Sequence, residues 1–577
     1  MSPADPTDDA ALLAQAAAWA DGDPDCVTAK ELRDLIDQRA VGELRERMHG
    51  ELEFGTAGLR GIVAAGSARM NLAMVRRATR ALAEHLLGRM PDARTLPVVV
   101  GFDARIDSRR FADDATQVLL AAGIPVKRFA DPVPTPIVAY AVRVFSAQAG
   151  IVITASHNPP EYNGYKLYLG NGVQVVAPDD AQIAQLMREL GPANQIPIEP
   201  HGLARAEVIP DELFDRYLAD TRAELPPVSA DHGLRIAYTP LHGVGAFYLQ
   251  RAFEYFGYRN VEMVSAQREP DGHFPTVHFP NPEEPTALES VLQLARDVNA
   301  DLVLANDPDV DRMAVAVPTP AGRWLALTGN QIGLLLADYL LERGQPSPNR
   351  QVISTFVSSP MLESIARAHG VHAERTLTGF KWLWTAALAL ENTHGRRFCF
   401  GYEEALGYSV IRAVRDKDGI SAALAFAGLA SEARARGQSV LERLQALYAR
   451  HGLWASVQHS VVLAGTSGAE RIVDAMARLR AAPPSQIGEH TVVSSQDFAK
   501  PEREAPAWRG ATNLVALDLG DGVRVLVRPS GTEPKLKIYV DLKIALQNGE
   551  SFSAASERAT NAALAIAKAL EVALGLA

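Results

Sequence analysis

Leu96-Pro-Val-Val-Val-Gly-Phe-Asp103 (LPVVVGFD) is an apolar, β-branched run that stops on a carboxylate. A run of this kind reads as a buried strand whose carboxyl end opens into a loop. Two later stretches repeat it, Leu234–Pro240 (LRIAYTP) and Gln351–Val357 (QVISTFV). Each looks like the first strand of a unit and is followed by a helix, and helical periodicity marks Arg76–Leu87, Phe111–Ala122, Phe247–Phe256, Pro285–Val298 and Asn330–Leu341. A further strand then closes each unit, at Ile151–Thr154, Leu302–Ala305 and Phe398–Tyr402. These closing strands run into polar loops: TASHNPP (Thr154–Pro160), NDPDVDR (Asn306–Arg312) and GYEEALGY (Gly401–Tyr408). Alternating strands and helices indicate α/β architecture, which places its ligands outside the carboxyl ends of strands. The stretch from Arg528 to Val540 and the Ala-rich helix from about Ser553 do not fit the repeat. The expected fold is three related α/β units plus a smaller α+β C-terminal domain around a central cleft.

Length and composition agree with that division. A chain of 577 residues exceeds what one core supports and predicts roughly four domains. Pro- and charge-rich stretches at Gly191–Leu203, Leu225–Asp231 and Gly344–Arg350 look like connections, and the expected domains are 1–204, 205–322, 323–448 and 449–577. With 57 basic and 68 acidic residues the net charge is −11, which argues against general nucleic-acid binding. Cys26 and Cys399 are the only cysteines, so no disulfide framework or cysteine-rich metal site is available. The N-terminus lacks the pattern of a signal peptide, and no run of about 20 apolar residues is present. A soluble, cytoplasmic protein without membrane partners is expected, as a monomer or small homo-oligomer.

Four loops offer chemistry. Ser156 leaves a strand end, and Pro159–Pro160 keeps a helix from carrying it away. It is a candidate nucleophile or phosphoryl carrier, against the plainer reading of a turn serine. A Ser-His hydrolase pair with His157 is disfavoured, because neighbouring side chains on an extended strand end diverge. Asp307, Asp309 and Asp311 alternate in a short loop, which suits a hard cation such as Mg²⁺ better than a solvated acidic turn. Glu403 and Glu404 follow an apolar strand and can accept from sugar hydroxyls or move protons; a hairpin tip is the alternative. Arg528-Pro-Ser530-Gly531-Thr532, with Lys535 and Lys537 nearby, has the composition of an anion nest rather than a nucleotide loop, or else is a basic turn. Lys381, in TLTGFKWLW (Thr376–Trp384), matters only if it faces the same cleft.

Taken in order, TAGLRG (Thr56–Gly61), TASHNPPEYNGYK, DPDVDR, TLTGFKW, GYEEALGY and RPSGTEPK resemble the α-D-phosphohexomutase superfamily of phosphoglucomutases and phosphomannomutases. That resemblance covers most of the chain and implies four domains around a central cleft. It implies an isomerase that moves a phosphoryl group between C1 and C6 of a hexose phosphate, glucose 1-phosphate and glucose 6-phosphate first. By it, Ser156 becomes a phosphoserine and Asp307, Asp309 and Asp311 hold Mg²⁺ together with a phosphoryl oxygen on Ser156. Lys166, Arg60 and His157 then surround the transfer, with Lys166 a candidate for proton transfer. Arg312, Lys381, Glu403 and Glu404 contact substrate, and Arg528, Ser530, Gly531, Thr532 and Lys537 hold the phosphate that is not reacting. A sugar 1,6-bisphosphate is the implied intermediate and activator. Ala405 stands where many family members have serine, and the EEA form with FPTVHFPNPEEP (Phe274–Pro285) is similar to the branch of phosphopentomutases and glucose-1,6-bisphosphate synthases. Phosphopentomutase, phosphomannomutase and glucose-1,6-bisphosphate synthase are therefore the alternatives. A phosphosugar phosphatase would let water reach the phosphoserine, and a silent phosphosugar-binding regulator would be expected to lose Ser156 or the aspartates.

Overall fold

The computed structural model describes residues 6–576 apart from 54, 56–57, 90–91, 228–232, 344–345, 464–465, 501–504, 530–534, 546 and 548–549. The chain divides into two compact units, Met1–Ala326 with Gly407–Gly428, and Leu327–Leu406 with Leu429–Ala577.

In the first unit, β1 (Leu59–Ile62), β2 (Val98–Phe102), β3 (Val126–Arg128), β4 (Ala149–Ile153), β5 (Tyr162–Leu169) and β6 (Glu207–Val208) form one sheet in the order β1-β5-β4-β2-β3-β6. The central β2 is parallel to β3 and β4, and β5 turns back antiparallel to β4. A second sheet contains β7 (Arg235–Thr239), β8 (Asn260–Met263), β9 (Leu302–Ala305), β10 (Ala314–Pro318) and β11 (Trp324–Ala326), in the order β11-β10-β9-β7-β8. Here β7 is parallel to β8 and β9, and β10 turns back on β9. In the second unit, β12 (Arg350–Thr355) is parallel to both β13 (His372–Thr376) and β14 (Arg397–Glu403). In each of the three sheets one strand (β2, β7 and β12) is thus flanked by the next strand on one side and by the loop-bearing strand on the other. The repeat read from the sequence is a repeat of topology.

Burial explains why these strands form. Every residue of β2 and β4 is buried, the signature of parallel strands covered on both faces. Helix Ser108–Ala121 sets Phe111, Ala115 and Leu119 on one stripe against Val98, Val100, Ile151 and Ile153. Each such large side chain contributes about 1.5–3 kcal/mol relative to exposure. The segment 285–298 is not one helix: a 3₁₀ turn, Pro285–Leu288, precedes the α-helix Glu289–Asp297. Similarly, the connection Gly191–Leu203 carries short 3₁₀ turns at Ala193–Gln195 and Gly202–Ala204, too brief for periodicity to reveal.

The chain begins with three helices, Pro6–Gly22, Cys26–Asp37 and Val41–Met48, around a small core of Ala16, Leu32 and Leu44. It ends with antiparallel strands Leu453–Val462, Ser494–Asp497, Val515–Asp518, Val523–Pro529 and Lys535–Ile544. Helix Phe552–Ala573 covers that sheet, packing Ala563, Ile566 and Leu570 with Val525, Val527, Ile538 and Val540. Among the described residues, no helix is long and apolar enough to cross a membrane.

Candidate active site

The loop after β4 does not continue as a strand. Ser156 takes a φ of +52°, a left-handed conformation that costs any residue with a Cβ. Its N–H is held by Thr154 Oγ1 at 2.8 Å, and Thr154 donates to buried Asp103 at 2.7 Å. The turn brings Ser156 Oγ to 2.6 Å from Asp307 Oδ2 and 3.2 Å from His157 Nδ1. This corrects the expectation that adjacent Ser156 and His157 diverge. A left-handed residue breaks the strand alternation on which that expectation depends.

The metal-type loop between β9 and β10 is shaped by another such residue. Buried Val310 sits at φ +60°, an outlier for a β-branched side chain, while its N–H donates to the carbonyl of Asp307 at 2.9 Å. The turn converges the aspartates: Asp307, Asp309 and Asp311 are all buried and offer carboxylate oxygens within 4.8 Å of one another. Gly419 backs the loop so closely that a Cβ there would stand 2.6 Å from the carbonyl of Arg312. No side chain fits at that position.

The surrounding charges tune this cluster. Lys166 Nζ, from the buried strand β5, lies 2.7 Å from both Asp309 Oδ2 and Asp311 Oδ2. Thr135 Oγ1 donates to Asp309 at 2.6 Å, and Lys417 Nζ stands 3.3 Å from Asp311. Burial, with Asp311 and Asp309 beside it, pushes the Asp307 carboxyl well above its ordinary range. Burial also works against ionised Asp311, but Lys166, Lys417 and Arg312 overcome it and hold that carboxyl low. Burial opposes the Lys166 charge too, yet Asp309 and Asp311 keep it an ammonium beyond its usual range. His157 is held neutral by burial and by the positive Arg312 and Arg60. Arg60, on β1, donates to Asn158 Oδ1 at 2.8 Å, and burial lowers its pKa to about 10. Arg312 donates its N–H to Asp307 Oδ1 at 3.0 Å and reaches Glu283 at 3.3 Å.

Two carboxylate oxygens, Asp309 Oδ1 and Asp311 Oδ1, are buried without a hydrogen-bond partner. A buried polar atom left so demands an explanation, and a hard divalent cation with oxygen ligands supplies one. The three aspartates fit such an ion.

In the second unit, Glu403 ends β14 and accepts the N–H of Gly379 at 2.5 Å. Glu404 accepts from the hydroxyls of Thr355 and Ser358, both at 3.2 Å. Lys381 is buried in the first turn of helix Phe380–His394, its Nζ 5.6 Å from the Trp382 ring centroid. Arg528 sits opposite Lys537 across an antiparallel pair, and its Nε is buried without a hydrogen-bond partner. Ser530, Gly531 and Thr532 lie outside the described residues.

Within the first unit the structure therefore brings together Ser156, His157, Lys166, Arg60, Asp307, Asp309, Asp311 and Arg312. Sequence reasoning missed Thr135, Lys417 and Arg105, whose guanidinium donates to the carbonyl of Ser156 at 2.7 Å. Asp103, closing the LPVVVGFD strand two residues before Arg105, was the one available pointer to that end of the sheet.

Family models described as phosphoglucomutase/phosphomannomutase alpha/beta/alpha domains I, II and III match residues 51–193, 215–322 and 328–451, and the C-terminal domain model matches 469–543. A probable phosphomannomutase of Haemophilus influenzae is 37% identical over 481 residues, covering 82% of this chain and 93% of that protein. A probable phosphoribomutase of Schizosaccharomyces pombe is 36% identical over 544 residues, covering 90% and 92%. Mouse phosphopentomutase is 34% identical over 570 residues, covering 92% and 90%. The crystal structure of a putative phosphomannomutase from Thermus thermophilus matches the fold with a TM-score of 0.68 at 24% identity, over 90% of this chain and 99% of that one.

Proposed function

Since the chain belongs to the phosphoglucomutase/phosphomannomutase family and is a phosphosugar mutase of the isomerase class, we propose that Ser156 carries the phosphoryl group it transfers. The observation that supports this most is Ser156 Oγ at 2.6 Å from one of three clustered, buried aspartates. We assign Mg²⁺ to Asp307, Asp309 and Asp311, where it would neutralise phosphoryl oxygens during transfer. Phosphoryl transfer needs placement and charge compensation more than covalent help.

In the first half-reaction the P–Oγ bond to Ser156 breaks as the substrate's free hydroxyl bonds to phosphorus, and that hydroxyl's proton ends on Ser156 Oγ, giving a sugar 1,6-bisphosphate. In the second, Ser156 Oγ attacks the other phosphate of that intermediate. The bond from phosphorus to the sugar oxygen breaks, and the serine proton passes by way of His157, in contact with Oγ, to the released sugar oxygen. Arg60, Arg312 and Lys166 supply positive charge around the transferring group. Lys166, already shared by two carboxylates, acts as an ammonium there rather than as a free base. Glu403 takes sugar hydroxyls, with Lys381 and Glu404 beside it in the same role. Arg528, Lys537, Ser530, Gly531 and Thr532 take the distal phosphate.

The substrate we propose is a hexose phosphate, exchanged between C1 and C6, with glucose 1-phosphate and glucose 6-phosphate first. A second reading, phosphopentomutase, is favoured by Ala405, which lacks a hydroxyl to read the larger sugar. It is favoured also by the names of the fission-yeast and mouse relatives. Purified protein is to be assayed with glucose 1-phosphate, mannose 1-phosphate and ribose 1-phosphate, with and without sugar bisphosphate. The hexose reading expects the highest kcat/KM on glucose 1-phosphate and no free phosphate. A preference for ribose 1-phosphate replaces it with the second reading, and stoichiometric phosphate release overturns the mutase mechanism.

A further inference from the structure

Arg105 lies just beyond β2, and its side chain is only 1% exposed. Its guanidinium is committed almost wholly to the backbone of the serine loop. Nη1 donates to the carbonyls of Pro159 at 2.7 Å and Tyr162 at 3.0 Å. Nη2 donates to the carbonyl of Ser156 at 2.7 Å and to that of Asn158. Nε stands 3.3 Å from Asp103 Oδ2. Its Cζ stands over the ring of Phe274, 5.0 Å from the centroid, on the loop between helix Ser265–Arg268 and the 3₁₀ turn Pro285–Leu288. That loop meets the Arg105 backbone closely: a Cβ on Gly272 would come within 2.9 Å of Arg105 Cα.

The loop has a need that this arrangement meets. Ser156 sits in a left-handed conformation, and Pro159 and Pro160 have no N–H to give. Its carbonyls are turned inward, and buried carbonyls without donors are costly. One planar fork can serve two pairs of acceptors in fixed directions; an ammonium of equal charge cannot.

We propose that Arg105 is a positioning residue for the transfer step. It fixes the turn that points Ser156 Oγ at Asp307 and His157, and it does so without touching substrate, metal or the reacting oxygen. This rests on the reading of Ser156 as the phosphoryl carrier.

The test compares wild type with Arg105→Lys, Arg105→Ala and Phe274→Leu, and with Arg109→Lys as a control on the exposed face of the next helix. For each, four things are measured: single-turnover phosphorylation of Ser156 by glucose 1,6-bisphosphate, steady-state kcat and KM, the Mg²⁺ midpoint, and the thermal transition. Misplacing a reacting atom by about 1 Å costs about 100-fold in rate. Arg105→Lys should therefore lower the phosphorylation rate and kcat by about 100-fold, with KM and the Mg²⁺ midpoint close to wild type. Free guanidinium should restore part of the rate of Arg105→Ala, and Phe274→Leu should shift kcat in the same direction by less. Arg109→Lys should match wild type.

A wild-type rate for Arg105→Lys overturns the proposal. So does a loss spread equally over kcat, KM and Mg²⁺ midpoint, or failure of both Arg105 variants to fold combined with normal kinetics for Phe274→Leu. A wild-type protein that never acquires phosphate on Ser156 removes the carrier reading itself, an outcome distinct from normal phosphorylation of both wild type and Arg105→Lys.

Discussion

The loops after β9 and after β14 leave equivalent strand ends, yet they present different carboxylates, three converging aspartates after β9 and two consecutive glutamates after β14. Asp309 and Asp311 are bonded to the ammonium of Lys166, with Lys417 and Arg312 adding charge around Asp311. Glu403 accepts a backbone N–H among its contacts, and Glu404 accepts from two hydroxyls. A buried carboxylate cluster needs cations of its own to ionise, and then retains strong affinity for another. The same place in a repeated topology carries three clustered aspartates in one unit and a glutamate pair in the other, for which we propose metal binding and sugar recognition respectively.

The largest effect should come from the loop paired with the aspartates. Ser156→Ala removes the covalent route and should lower mutase turnover by about three orders of magnitude or more, since groups that act as a unit are lost together. Steady-state isomerisation of a sugar monophosphate measures it, and turnover near wild type would break the comparison at its root. Asp309→Asn keeps the shape of the side chain and removes one charge. Turnover should fall and the Mg²⁺ requirement should rise, while the melting curve without metal stays close to wild type. Unchanged Mg²⁺ dependence would make the loop after β9 an acidic turn.

On the other side of the comparison, Arg528→Ala should raise KM for sugar monophosphates strongly and lower kcat less, because a distal grip acts on ground and transition states alike. Arg528→Lys should recover part of the loss, supplying charge without the planar fork. Equal KM in wild type and Arg528→Ala would remove the phosphate-holding role from the second unit.

The smallest effect is on stability. His85 and His242 in the first unit, and His372 and His451 in the second, all have pKa values lowered by burial below their usual 6.5. The unfolded chain binds these protons first as pH falls, so stability is full above about pH 6.5 and declines through the depressed values. Urea midpoints at pH 7.5 and 5.5 measure the decline. His85→Gln and His451→Gln should each flatten part of it, and a pH-independent midpoint would contradict the assignment.

Much of this was legible beforehand. The runs at Leu302–Ala305 and Phe398–Tyr402 carry enough apolar, β-branched and aromatic residues to mark their strands, and the polar loops after them stand out against that background. What periodicity cannot see is the sign of one φ angle. Ser156 and Val310 are ordinary in sequence, but each sits in a left-handed turn that decides where a hydroxyl or a carboxylate points. Nor can it see partners brought in by the fold: Thr135 reaches Asp309 across 174 positions, and Arg105 reaches the carbonyl of Ser156 across 51. Such residues have no local pattern, because their role comes from tertiary contact alone.

The central claim is that Ser156 stores the phosphoryl group between turnovers. Protein incubated with ³²P-labelled glucose 1,6-bisphosphate and Mg²⁺, then digested and mapped by mass spectrometry, tests it directly. One phosphate is expected on the peptide containing Ser156, lost to unlabelled glucose 1-phosphate within a single turnover and recovered in sugar phosphate. Label on another residue, or label on Ser156 released only as inorganic phosphate, would contradict it.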